Sequence, residues 1–161
     1  RGRAAVPWAI LKGLDRTGVT LFKLDEGVDT GDIIGQEVIE LREGVTATEL
    51  YNQVDQAHIT LIDRYWNDIA EGTVQLRPQD HAAATVWPGR KPEDGEITGS
   101  MSMVEADRMV RAVTHPYPGA FYRENGGVLR IWSARVSTEK GRIRLRDGWL
   151  EPLEFEVEGA C

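Results

Sequence analysis

The stretch from Ala47 to Ala70 constrains this chain more than any other. Leu50, Val54, Ala57, His58, Leu61, Ile62, Tyr65 and Ile69 recur at three- and four-residue spacing, the period of one helix face. Thr46 followed by Glu49 forms a capping box, and Gly72 stands where a C-terminal cap belongs. A helix this long with a single apolar stripe needs a flat apolar partner. Two strand-forming runs precede it, Val19–Leu24 and Ile33–Leu41, rich in β-branched residues. Two strands cover such a stripe poorly, because doubly wound folds place helices on both faces of several parallel strands. More sheet is therefore expected upstream of Arg1, which suggests a chain cut at its start.

Residues 4–12 predict a short helix closed by Gly13. Residues 77–96 carry Pro78, Pro88, Pro92 and two glycines with no surviving period, which reads as a connector. Beyond it, Ser102 with Glu105 forms a second capping box, opening a short amphipathic helix through Met103, Ala106, Val110 and Val113 that must stop before Pro116. The alternating runs 120–122, 128–136, 142–146 and 153–157 are separated by turns at Asn125-Gly-Gly, Lys140-Gly and Asp147-Gly. They predict a small antiparallel sheet or partial barrel. The fold expected is thus an α/β segment over 1–96 followed by a small, mostly β module over 97–161.

An apolar fraction of 41% against 28% charged residues is ordinary for a folded protein, and no run approaches a membrane span. Cys161 is the one cysteine, which excludes an internal disulfide framework and suits a reducing cytoplasm. Of the net charge of −7, the excess lies upstream: residues 1–96 hold 10 Lys/Arg against 17 Asp/Glu, while 97–161 hold nine of each. Affinity for nucleic acid comes largely from phosphate neutralisation, so this balance disfavours RNA and suits small-molecule substrates.

Asp25-Glu-Gly-Val-Asp-Thr-Gly-Asp32 places four acidic residues within eight positions at the end of a strand. Calcium binding fails on spacing, because an EF-hand needs alternating ligands before its glycine and a closing Glu. No metal is expected. A solvated acidic turn and a strand-end catalytic carboxylate both remain open on the residues alone, and the solvated turn is the commoner outcome.

The ordered series Arg1-Gly-Arg-Ala, Trp8-Ala-Ile, Thr17-Gly-Val-Thr-Leu, Asp25–Asp32, Arg90-Lys-Pro-Glu-Asp-Gly95, Met109-Val-Arg-Ala-Val and Pro116-Tyr-Pro-Gly-Ala-Phe121 resembles the formyltransferases that use 10-formyltetrahydrofolate. Their members acting on amino sugars attached to nucleotides are the nearest in pattern. The resemblance implies the C-terminal part of a Rossmann-like catalytic domain followed by an OB-like β domain. It implies that Asp29 is the catalytic Asp of an Asn, His, Asp set, and that Arg3, Asp25, Glu26, Gly27, Val28 and Asp29 line the folate site. An anionic carboxylate beside a histidine raises its pKa and helps it accept the proton that the attacking amine loses. The Asn-x-His motif would lie upstream of Arg1, so the isolated chain is expected to be inactive. Folate and an amino-sugar nucleotide are the expected small-molecule partners, and a homodimer is compatible with the pattern. One departure is Thr98-Gly99, where the family commonly has Asp-Trp.

Arg3 within Gly-Arg-Ala and the acidic balance separate the chain from the methionyl-tRNA branch. Formylation of methionyl-tRNA or of a carrier-bound aminoacyl group is the alternative, and a noncatalytic folate- or partner-binding homologue is the alternative of another class. None of the histidines replaces the missing base. His58 falls on the apolar stripe and is read as packed or half-exposed; His81 and His115 read as structural. The five tryptophans are scattered, which favours core packing over an aromatic box, although Trp87 could line a pocket. The basic residues Arg130, Arg135, Lys140, Arg142, Arg144 and Arg146 read as solvated outward faces of strands rather than a phosphate site.

Overall fold

The computed structural model describes residues 1–124 and 126–159, so the Asn125 of the expected turn and Cys161 lie outside the described residues. Helix α1 (Ala5–Leu11) follows the first four residues, and strands β1 (Arg16–Phe22) and β2 (Ile33–Glu40) form an antiparallel hairpin around the acidic loop. Helix α2 (Ala47–Glu71) packs on that hairpin. Thr46 Oγ1 accepts from the Glu49 N–H while Glu49 reaches back to Thr46, and Gly72 takes the left-handed conformation that closes the helix.

Leu50, Ala57 and Leu61 of α2 are buried, and Val54 and Tyr65 pack against the same core. Tyr65 lies so close to Gly35 of β2 that a Cβ there would stand 2.2 Å from its ring. The expected stripe is only half used, because His58, Ile62 and Ile69 are exposed. That corrects the packed placement of His58. A two-stranded hairpin spans about 10 Å at ordinary strand spacing, too narrow to cover every turn of a 25-residue helix.

The connector is irregular, as expected, apart from a short 3-10 helix at Pro92–Gly95. Helix α3 (Met103–Val113) opens on its Ser102–Glu105 capping box. Strands β3 (Ala120–Glu124), β4 (Gly127–Ser137), β5 (Ile143–Arg144) and β6 (Trp149–Glu158) form an open antiparallel sheet in the order β3-β4-β6-β5. β4 runs along all of β6, whereas β5 meets only Trp149 and Leu150. Beyond Leu150, the other edge of β6 carries Glu151, Pro152, Glu154, Glu156 and Glu158 interleaved with exposed Leu153, Phe155 and Val157.

One hydrophobic core runs through both halves, from Ala9 and Ile10 of α1 through Ala106, Val110 and Val113 of α3 to Leu129, Ile131 and Leu150 of the sheet. The segment around Pro116 also bridges the halves, since Thr48 Oγ1 donates to the His115 carbonyl at 2.5 Å and the Tyr51 and Tyr117 hydroxyls meet at 2.7 Å. Burial, and then the bond to Tyr51, push the Tyr117 hydroxyl well above its ordinary pKa. Thr98-Gly99 opens a turn in which the Met101 N–H donates to the Thr98 carbonyl. No helix among the described residues is long and apolar enough to cross a membrane.

Removing the cap hydroxyl with Ser102→Ala should cost about 1 kcal/mol in a denaturant titration. The cap bonds from Ser102, led by its backbone N–H, hold the Glu105 carboxyl below its ordinary range. A depressed folded pKa gives stability present above the unfolded value and lost as pH falls. The destabilisation caused by Glu105→Gln should therefore be present at neutral pH and fade as the pH falls below the ordinary carboxylate range.

Candidate active site

The loop between β1 and β2 is pinched at its neck, where the Lys23 N–H donates to the Asp32 carbonyl at 2.9 Å. Gly31 makes the pinch sterically feasible, because a Cβ there would fall 1.6 Å from the Lys23 carbonyl oxygen. Within the loop, Asp25 Oδ1 accepts from the Thr30 hydroxyl at 2.6 Å and from the Gly27 N–H at 3.0 Å. The Thr30 bond, ahead of those weaker contacts and of His81, holds the exposed Asp25 carboxyl below its ordinary pKa. Asp25 thus organises the loop as an anion.

Asp29 is half-buried and stands at φ 57, one of only two described non-glycine residues with positive φ. An L side chain in that region costs free energy, although Asp tolerates it better than most, and such residues gather at sites where position matters more than relaxation. Its carboxylate has no hydrogen-bond or ion-pair partner among the described residues. It lines a depression of about 560 Å³ together with Arg1, Phe22, Ile33, Gln79 and Thr85. A larger groove of about 730 Å³ lies at the opposite end of the hairpin, beside Asp15 and Leu41. It holds none of the expected site residues, and its Arg111 is committed to Asp107 and to the Val45 carbonyl.

Of the expected residues, the structure brings only Asp29 into the depression. Asp25, Glu26, Gly27 and Val28 are exposed along the loop, and Arg3 is exposed with its guanidinium over Gly89. The arginine that enters the depression is Arg1, whose Nη2 lies 2.9 Å from both Gln79 Oε1 and His81 Nδ1. Sequence reasoning missed Gln79, which donates from Nε2 to the carbonyls of Asp29 (3.2 Å) and Gly31 (2.6 Å). It sits in an aperiodic segment, where no pattern could mark it.

Trp87 also departs from expectation. It stacks on Trp8 at 5.6 Å, and Lys12 and Arg90 lie over the pair, so two of the scattered tryptophans form a cation-faced stack. Beside it, residues 1–3 pair with the connector: the Trp87 N–H donates to the Arg1 carbonyl and the Arg3 N–H to the Trp87 carbonyl, both at 3.0 Å. Among the described residues, no cluster of three or more His, Cys, Asp or Glu converges on a metal-sized site.

The molecule is thus an α/β hairpin-and-helix unit joined through a shared core to a small antiparallel β sheet. Residues 1–64 match the formyl transferase profile and residues 90–151 match the profile of the formyl transferase C-terminal domain. The methionyl-tRNA formyltransferase of Chloroflexus aggregans is 38% identical over 137 residues, covering 85% of this chain and 44% of its own length. Among solved structures, HypX from Aquifex aeolicus in complex with tetrahydrofolic acid superposes with a TM-score of 0.80 at 23% identity, covering 96% of this chain and 30% of that one. A 4-N formyltransferase from Francisella tularensis gives a TM-score of 0.66 at 25% identity, covering 78% of this chain and 52% of that one. The chain belongs to the formyl transferase family. It spans about 44% of the length of the curated relatives it matches.

The left-handed backbone at Asp29 should rank its substitutions. Asp29→Asn should leave stability nearly unchanged, whereas the β-branched Asp29→Val should cost about 1–2 kcal/mol more in a denaturant titration.

Proposed function

We propose that these residues form the downstream part of an enzyme that transfers a formyl group from 10-formyltetrahydrofolate to a primary amine, with Asp29 as a catalytic carboxylate. The observation that carries the reading is Asp29 itself, held in a costly backbone conformation at the mouth of an open depression with its carboxylate unpartnered. The folate supplies an activated formyl carbon. Asp29 would stabilise the protonated form of a neighbouring histidine, raising its capacity to take the proton that the amine gives up. The exposed loop of Asp25 through Val28, which leads to Asp29, would offer backbone groups other than the Gly27 N–H held by Asp25 to a flat, hydrogen-bonding ring. Arg1, which lines the depression where Arg3 does not, would meet an anionic or carbonyl group there.

For the acceptor, the amine of an amino-sugar nucleotide is favoured by Arg3 in Gly2-Arg3-Ala4 and by the excess of acidic over basic residues in 1–96, which a polyanion would meet unfavourably. Methionyl-tRNA is the second reading, favoured by the 34–38% identity to the curated relatives. The division into 1–96, catalytic part with connector, and 97–161, accessory β domain, belongs to the same proposal. So do the cytoplasmic location and a homodimeric assembly.

The test is formyl transfer by the full-length protein to a panel of amino-sugar nucleotides and to methionyl-tRNA at several salt concentrations. Turnover of an amino sugar with little salt dependence supports the first acceptor; tRNA formylation that falls steeply with salt supports the second. Asp29→Asn should lower kcat by about a hundredfold or more while leaving the melting temperature in place. An unchanged kcat would remove Asp29 from the catalytic set.

A further inference from the structure

The acidic loop is poorly anchored by packing. Leu24 and Val28, its two apolar side chains, are 82% and 84% exposed. Its hydrogen bonds run from Asp25 to its own neighbours and across its own neck. What ties the Asp29 end to the rest of the molecule is the side-chain amide of Gln79, whose NH₂ group reaches two carbonyls, one on each side of Thr30.

The partners settle which way that amide faces. Arg1 can only donate and the two carbonyls can only accept, so Oε1 must face the guanidinium and Nε2 the loop. The task specifies a primary amide: a carboxylate lacks the two donors, and an ammonium would lie against Arg1. Gln79 is itself held from both sides. Arg77 exchanges backbone hydrogen bonds with Ile33 at 2.7 and 2.9 Å, and Trp87, stacked on Trp8, exchanges two with Arg1 and Arg3.

We propose that Gln79 is a positioning residue, which holds the Asp29 loop against the connector and sets where the Asp29 carboxylate stands. The catalytic half of this inference rests on the reading of Asp29 given above; the anchoring half does not. The connector is then more than a tether between two units. It carries Gln79, the one side chain among the described residues that hydrogen-bonds both Arg1, at the start of the chain, and the acidic loop.

Gln79→Glu isolates the role, because it keeps an acceptor for Arg1 and loses both donors to the loop. In the full-length protein it should lower kcat about tenfold or more, since small misplacements of a catalytic group are costly. It should also speed amide hydrogen exchange across residues 24–31 severalfold. Gln79→Ala provides a second variant should the glutamate disturb folding. The decisive measurement is the double variant with Asp29→Ala. If Gln79 acts by placing Asp29, its loss adds little to kcat in the Asp29→Ala background; additive losses would mean an independent structural contribution and would overturn the positioning role. Unchanged exchange in both Gln79 variants would overturn the anchoring itself. If Asp29→Ala leaves kcat intact while the Gln79 variants still speed exchange, the reading of Asp29 has failed and the anchor stands.

Discussion

The structure hangs on the seating of one short helix. α1 buries Pro7, Ala9 and Ile10 and packs against α3 and α2, joining the core that runs on through Ala106 and Ala112. Full burial of an aliphatic side chain stabilises by about 1.5–3 kcal/mol, so a few such contacts outweigh any exposed ion pair in the molecule. Residues 1–3 lead directly into α1, so fixing the helix fixes them. They in turn pair with Trp87, and the connector so held delivers Gln79 to the acidic loop. The path from core to site is therefore short, and it consists of burial first and directed hydrogen bonds last.

The same ordering explains the charges of the β sheet. Arg130 pairs with Glu158, Arg142 with Glu124, Arg123 with Glu96 and Arg146 with Glu105. Arg144 lies over the Trp149 ring. Basic side chains spoken for by carboxylates are poor phosphate ligands, which agrees with nine charges of each sign in this region. Their energetic weight is small, but they decide what the sheet presents to solvent.

The elements with strong periods were legible in the sequence. α2 and α3 begin at their caps as expected because Thr46–Glu49 and Ser102–Glu105 satisfy backbone donors that any helix leaves open, and α2 closes at the expected Gly72. The four strands of the second sheet follow from alternation, with ends displaced by a few residues. Less legible was which part of a stripe would be buried: Leu61 and Ile62 look alike in sequence, yet only Leu61 finds a partner surface. The candidate site was half legible. Asp29 emerged through the order of motifs around it, but its left-handed backbone, its tether to Gln79 and the choice of Arg1 over Arg3 arise from contacts across 50 residues or more, which no local pattern encodes.

The free edge of β6 bears on how this protein behaves when crowded. An unpaired strand edge alternating Leu153, Phe155 and Val157 is a template on which another strand could grow. Pro152 removes one donor from that edge, and Glu151, Glu154, Glu156 and Glu158 set like charges opposite like charges in any antiparallel copy of itself. The molecule thus guards its own growing point with charge, and the strand that carries its apolar side chains also carries their protection.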